Sequence, residues 1–118
     1  KTGQKREGYS PALAERVYNR LVEKAYISDE KFARFWVENR NRAKGSSLRK
    51  ITAELRAKGV AGEIIEQVLS ESERNDGDEL AKVVTKKRTR YPDDQKFMAY
   101  LARQGFSYDD IKSALEAE

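Results

Sequence analysis

The strongest constraint on what this chain can fold into is internal repetition. At an offset of 48, FARFWVENRNRA (32–43) lies on LAKVVTKKRTRY (80–91), pairing Phe32 with Leu80, Phe35 with Val83 and Trp36 with Val84. The same offset pairs Arg34 with Lys82, Arg40 with Arg88, Arg42 with Arg90, Val17 with Ile65 and Leu21 with Leu69. At an offset of 46, ITAELRAKGV (51–60) lies on FMAYLARQGF (97–106), which aligns Ile51 with Phe97, Leu55 with Leu101 and Gly59 with Gly105. A fixed period of this length is the mark of stacked supersecondary units, each too small to bury its apolar face alone.

The units are helical. Apolar residues recur at three- and four-residue spacing, strict alternation is missing, and Pro11 and Pro92 are the only prolines. A helix is expected from Pro11 to about Lys24, with Leu13, Val17 and Leu21 on its inner face. A second, capped by Ser28, places Phe32, Phe35, Trp36 and Ala43 in one stripe and ends near Gly45. Ser46 or Ser47 caps a third, carrying Leu48, Ile51 and Leu55 to a stop at Gly59; Val60 to Leu69 mark a fourth, which ends in the loop 72–77. Leu80, Val83, Val84 and Tyr91 define the next, terminated by Pro92. Phe97, Met98 and Leu101 define another, before Gly105, and Ser107 caps the last, with Ile111 and Leu115 inward. The expected architecture is all-α: residues 1–10 a flexible tail, 11–27 the last helix of a truncated first repeat, and three-helix repeats over 28–77 and 78–118. Such an array is elongated and curved, and its radius of gyration should exceed the ~13–14 Å of a compact globule of this length.

Composition closes off much chemistry. With no His and no Cys among 118 residues, the chain has no Ser-His-Asp or Cys-His nucleophile, no imidazole or thiolate zinc site and no disulfide. Ser47-Leu48-Arg49-Lys50 matches Ser-x-x-Lys, but a serine opening a basic helix is expected as a cap. Asp93-Asp94 and Asp109-Asp110 sit at helix starts, where acidic side chains favour the helix dipole and adjacent residues diverge. No Gly-rich phosphate loop occurs. A non-enzymatic protein without cofactors is expected. No apolar run reaches the ~18 residues of a membrane span and no signal-peptide pattern opens the chain, so a soluble, cytoplasmic monomer is expected. A chain that begins at Lys1, with Met98 its only methionine, is expected to be a piece of a longer protein.

The net charge of +4 conceals an alternation. Residues 28–58 hold nine basic and four acidic side chains, 59–80 one and seven, 81–106 seven and two, and 107–118 one and four. Residues 47–73 have the outline of a DNA-reading helix-turn-helix, but the second helix carries Glu63, Glu66, Glu71 and Glu73 and would be repelled from the major groove. The basic helices are the better candidates for a phosphate-tracking surface that is salt-sensitive and indifferent to base sequence. Its candidate residues are Arg34, Arg40, Arg42, Lys44, Arg49, Lys50 and Arg56 in one copy and Lys82, Lys86, Lys87, Arg88 and Arg90 in the other. For any one of them a solvated, solubilising surface is an equally good reading. Trp36 and the six tyrosines are of a type that stacks on bases, but Trp36 is expected in the core, and for Tyr91 and Tyr100 core and stacking both stay open.

AYISDEKFARFWVENR (25–40), KITAELRAKGV (50–60) and YLARQGFSYDDIKSAL (100–115), in this order and spacing, resemble the bacterial RecX regulatory family over nearly all of residues 12–118. The resemblance implies three tandem three-helix repeats, of which this chain would hold the end of the first and all of the second and third. It implies a modulator of the RecA recombinase that binds the RecA filament on single-stranded DNA and inhibits strand exchange, coprotease activity and ATP hydrolysis; free DNA is a further implied partner. The chain departs from the family pattern at Ala25, where glycine is usual, at Ser28-Asp29, and at Ser47. An alanine held in left-handed geometry would cost ~1 kcal/mol, so a remodelled turn is expected at Ala25. Two other readings stand beside this one: a helical scaffold that binds a protein without DNA, and a general nucleic-acid-binding module.

Overall fold

The computed structural model describes residues 11–118, and the expected tail at 1–10 lies outside them. Six α-helices follow in order: α1 (Pro11–Asn39), α2 (Leu48–Ala57), α3 (Gly62–Glu71), α4 (Asp76–Lys87), α5 (Asp94–Arg103) and α6 (Tyr108–Glu116), with a 3-10 turn at Arg88–Arg90 after α4. No strand occurs among the described residues. The radius of gyration is 21.6 Å and the extents are 71 × 28 × 22 Å, far from a compact globule and as a stacked array requires.

Two small cores, each within one three-helix unit, carry the burial. The first joins Ala33 and Val37 of α1, Ile51 and Leu55 of α2, Val60, and Ile64, Ile65 and Val68 of α3. The second joins Leu80, Val83 and Val84 of α4, Phe97 and Leu101 of α5, Phe106, and Ile111 of α6. Each valine, leucine, isoleucine or phenylalanine side chain fully withdrawn from water contributes about 1.5–3 kcal/mol. The helix ends follow the local chemistry. Ser47, Asn75, Asp93 and Ser107 each accept a hydrogen bond from the backbone N–H three residues on, and Gly45 and Gly105 take positive φ of 90° and 101°.

The structure corrects the expected organisation in two places. The break expected between Lys24 and Ser28 does not exist: α1 runs unbroken for 29 residues, about 42 Å at 1.5 Å per residue. Ala25 is an ordinary helical residue within it, so no left-handed turn is formed and Ser28 caps nothing. Nothing from Leu21 to Lys31 is glycine or proline, and alanine is the strongest helix former of all. The same helix ends at Asn39, before Gly45.

The inner stripe of α1 is also displaced by one residue. Ala33 and Val37 are fully buried, while Phe32 is 37% and Phe35 61% exposed, and Trp36 packs only partly against the core. By burial, Ala33 corresponds to Leu80, Trp36 to Val83 and Val37 to Val84, an offset of 47. α1 lies close along α3, and small side chains at 33 and 37 allow that approach. Leu13, Val17 and Leu21, expected inward, are 36%, 50% and 62% exposed.

Candidate nucleic-acid interface

The two units meet through polar groups. Arg74, in the loop after α3, and Glu79, on α4, form an ion pair of 2.8 Å whose side chains are 3% and 2% exposed. The Arg74 guanidinium also donates to the Val37 carbonyl at 2.8 Å and the Asn41 carbonyl at 3.4 Å, closing the C-terminal end of α1. Glu79 accepts from the Ser46 N–H at 2.9 Å and from Lys82 at 3.0 Å, and Asp76 accepts from the Leu48 N–H. Burial pushes the Glu79 carboxyl up, but Arg74, the Ser46 N–H and Lys82 outweigh it and hold it below the usual glutamate value. Across the junction, the Ser47 hydroxyl donates to the Gln104 carbonyl at 2.6 Å. A Cβ on Gly105 would come within 2.5 Å of that hydroxyl, and one on Gly45 within 2.6 Å of the Glu79 carbonyl. The start of α2 is thereby locked both to α4 and to the turn after α5.

This junction leaves a groove of about 360 Å³ between the units. One wall is the loop from Asn41 to Ser47 with Lys50; the other is the last turn of α4, Arg90, Tyr100 and Gln104. Five cations line it, Lys44, Lys50, Lys86, Lys87 and Arg90, and no carboxylate does. The nearest acids at the junction, Glu79 and Asp76, are taken up by the contacts above. Among the described residues no ion pair engages Lys44, Lys86, Lys87 or Arg90, and Lys50 donates to the Gln104 side chain at 3.0 Å. Ser46, 4% exposed, also lines the groove, and its hydroxyl has no hydrogen-bond partner. The Tyr100 ring is backed by Tyr91, with centroids 4.7 Å apart.

The remaining cations of the expected surface fall into two sets. Arg34 pairs with Glu30 and Glu71, and its guanidinium is held above its usual value by those two hydrogen bonds. Arg40 is clasped by Glu54 at 3.1 Å and lies over the Trp36 ring, whose indole N–H also donates to Glu54. Arg42 donates to the Glu38 carbonyl, Lys82 pairs with Glu79, and Arg88 pairs with Asp94 and Glu118. Arg49 and Arg56 stand exposed on α2 and do not line the groove. The twelve candidates thus separate into five gathered at one groove, five engaged within the molecule, and two on an open helix face. Gln104, Ser46 and Tyr100 complete the groove. Tyr100 was legible as an aromatic among cations, but nothing local in the sequence marks Gln104 or Ser46.

The fold and this face define a class: a helical-repeat protein of three-helix units that presents a cationic groove where two units join. Residues 28–69 match the model of the second three-helix domain of RecX. The chain is 34% identical to the regulatory protein RecX of Mycobacterium leprae over 96% of its own length and 71% of that protein. It is 30% identical to that of Amycolatopsis mediterranei, over 94% and 70%, and 32% identical to that of Caldanaerobacter subterraneus, over 94% and 57%. The chain belongs to the RecX family of regulatory proteins. No solved structure matches it significantly. No helix among the described residues is long and apolar enough to cross a membrane.

Proposed function

We propose that this protein regulates the RecA recombinase in the cytoplasm by binding its filament on single-stranded DNA and inhibiting it, with no catalysis of its own. The observation that carries the reading is a cationic groove free of carboxylates in a chain of a regulatory family. Lysine and arginine side chains without internal partners are suited to backbone phosphates, which are contacted without regard to base sequence. The acidic α3 and the exposed Phe35 and Leu21 favour a protein surface as the second partner, because large apolar side chains left in water are favourably covered on association. The first half of α1 is read as the closing helix of a preceding unit. Its Val17 and Leu21 then correspond to Ile65 and Leu69, and the relatives are longer than this chain.

The test is the RecA ATPase on single-stranded DNA, measured with the unaltered chain and with a variant in which Lys44, Lys86, Lys87 and Arg90 are changed to glutamate. The unaltered chain is expected to slow hydrolysis and the variant to lose most of that effect. A chain that leaves ATP hydrolysis and strand exchange unchanged at saturating concentration would sink the reading.

A further inference from the structure

We propose that the groove between the two units seats one nucleotide of a single strand, its phosphate held among Lys44, Lys86, Lys87 and Arg90 and its base against Tyr100. This deepens the filament reading and rests on it for the identity of the strand. Three features of the groove carry it. First, it is sized for such a ligand: about 360 Å³ is at the small end of ligand sites, which run from roughly 300 to 1,000 Å³. Second, four of its five cations are lysines, compact point charges on mobile stems. Such point charges hold a phosphate without needing bidentate geometry, and the arginine fork of Arg90 matches phosphate oxygens as well. Third, the wall opposite the Lys44 loop holds Tyr100, whose ring is pinned against Tyr91 at 4.7 Å. A fixed aromatic face accepts any base by stacking.

The groove is also ready-made. Its two walls belong to different units, and the Arg74–Glu79 pair and the Ser47–Gln104 bond fix their separation. Little ordering is left for the moment of binding. The backbone N–H groups of Ser46 and Leu48 are already spent on Glu79 and Asp76, so the phosphate is held by side-chain charge and not by the start of α2. It follows that Arg34, Arg40 and Arg88, bound to their own carboxylates, contribute little to holding the strand.

The experiment is binding of a fluorescent oligo-dT to the whole chain by anisotropy across a salt series, without any recombinase present. Its outcome is therefore independent of whether the chain slows the ATPase. The variant Lys86→Ala/Lys87→Ala/Arg90→Ala is compared with Arg49→Ala/Arg56→Ala/Arg103→Ala, which removes the same charge outside the groove, with circular dichroism to verify folding of both. The groove variant is expected to bind at least about tenfold more weakly and to flatten the slope of log affinity on log salt by about 0.7, the share of the one phosphate seated there. The control should change affinity less than about threefold. Tyr100→Leu should weaken oligo-dT at least about fivefold, the low end of what loss of one stacked base costs, and leave binding of inorganic polyphosphate unaltered. Equal losses in the two charge variants, equal effects of Tyr100→Leu on both ligands, or poly-glutamate binding more tightly than oligo-dT would each overturn the proposal.

Discussion

Removing the Glu79 carboxylate, as in Glu79→Ala, leaves the Arg74 guanidinium buried with only carbonyls for company. The pair lies at 2.8 Å with both side chains almost wholly withdrawn from solvent, so the loss belongs with broken buried pairs, about 3–5 kcal/mol. The Ser46 N–H loses its acceptor in the same step. Against the ~5–15 kcal/mol that holds a whole domain together, that loss is a large share. At a urea dependence of ~1–3 kcal/mol per molar, the midpoint should fall by roughly 2 M. Trp36, the only tryptophan, sits in the first unit and reports on that unit by fluorescence, while circular dichroism at 222 nm reports on helices in both. If the polar junction couples the units, the two transitions coincide in the unaltered chain and separate in the variant. The double replacement Arg74→Met/Glu79→Leu should recover much of the loss, because no charge is then stranded. A cost below ~1 kcal/mol for Glu79→Ala, or a double variant whose loss is the sum of the singles, would refute the account of the junction.

Two further outcomes follow from the same geometry. Glu79 and Glu54 are both held below the usual glutamate value, since for each the raising effect of burial is outweighed by its hydrogen-bonded cations and donors. A depressed carboxyl contributes stability that is fully present above its unfolded value, about 4.3, and is lost as pH falls through the lower folded value. Urea midpoints should therefore hold level from neutral pH to about 4.5 and drop below it, and a midpoint that rises on acidification contradicts the pairing. Gly105→Ala should cost ~2 kcal/mol and Gly59→Ala only ~1 in thermal melts. Both need positive φ, but a Cβ at 105 meets the Ser47 hydroxyl and one at 59 meets nothing within 4 Å. Equal losses would mean that the Ser47 contact is not close-packed.

Repeat, helix class and most helix ends could be read from residues whose local chemistry decides the matter. Ser47 and Ser107 cap because a hydroxyl meets the N–H three residues on, and Gly45, Gly59 and Gly105 turn because they lack a Cβ. The register of α1 could not be read this way. Phe32, Phe35 and Trp36 dominate any apolar pattern by size, yet the helix approaches α3 through Ala33 and Val37, a choice made by packing distance. The unbroken α1 was obscured for a similar reason, since Ser28-Asp29-Glu30 is a good cap sequence that the helix simply passes through. For the candidate surface, charge periodicity identified cations but not their partners. Glu71 and Glu54 claim Arg34 and Arg40 from other helices, pairings that depend on how neighbouring helices lie, whereas Glu30–Arg34 is a local i,i+4 pair. Lys44 and Lys86, 42 positions apart, face one groove only because Arg74 and Glu79 clamp the units together.

The unbroken α1 gives the molecule a spoke. Its last turns are anchored in the first core through Ala33 and Val37, and its first seventeen residues extend about 25 Å beyond at 1.5 Å per residue. No glycine or proline interrupts the helix between positions 12 and 39, so Leu13 and Val17 are held at a set distance from the first core. A body so built has a fixed span between the tip of α1 and the groove.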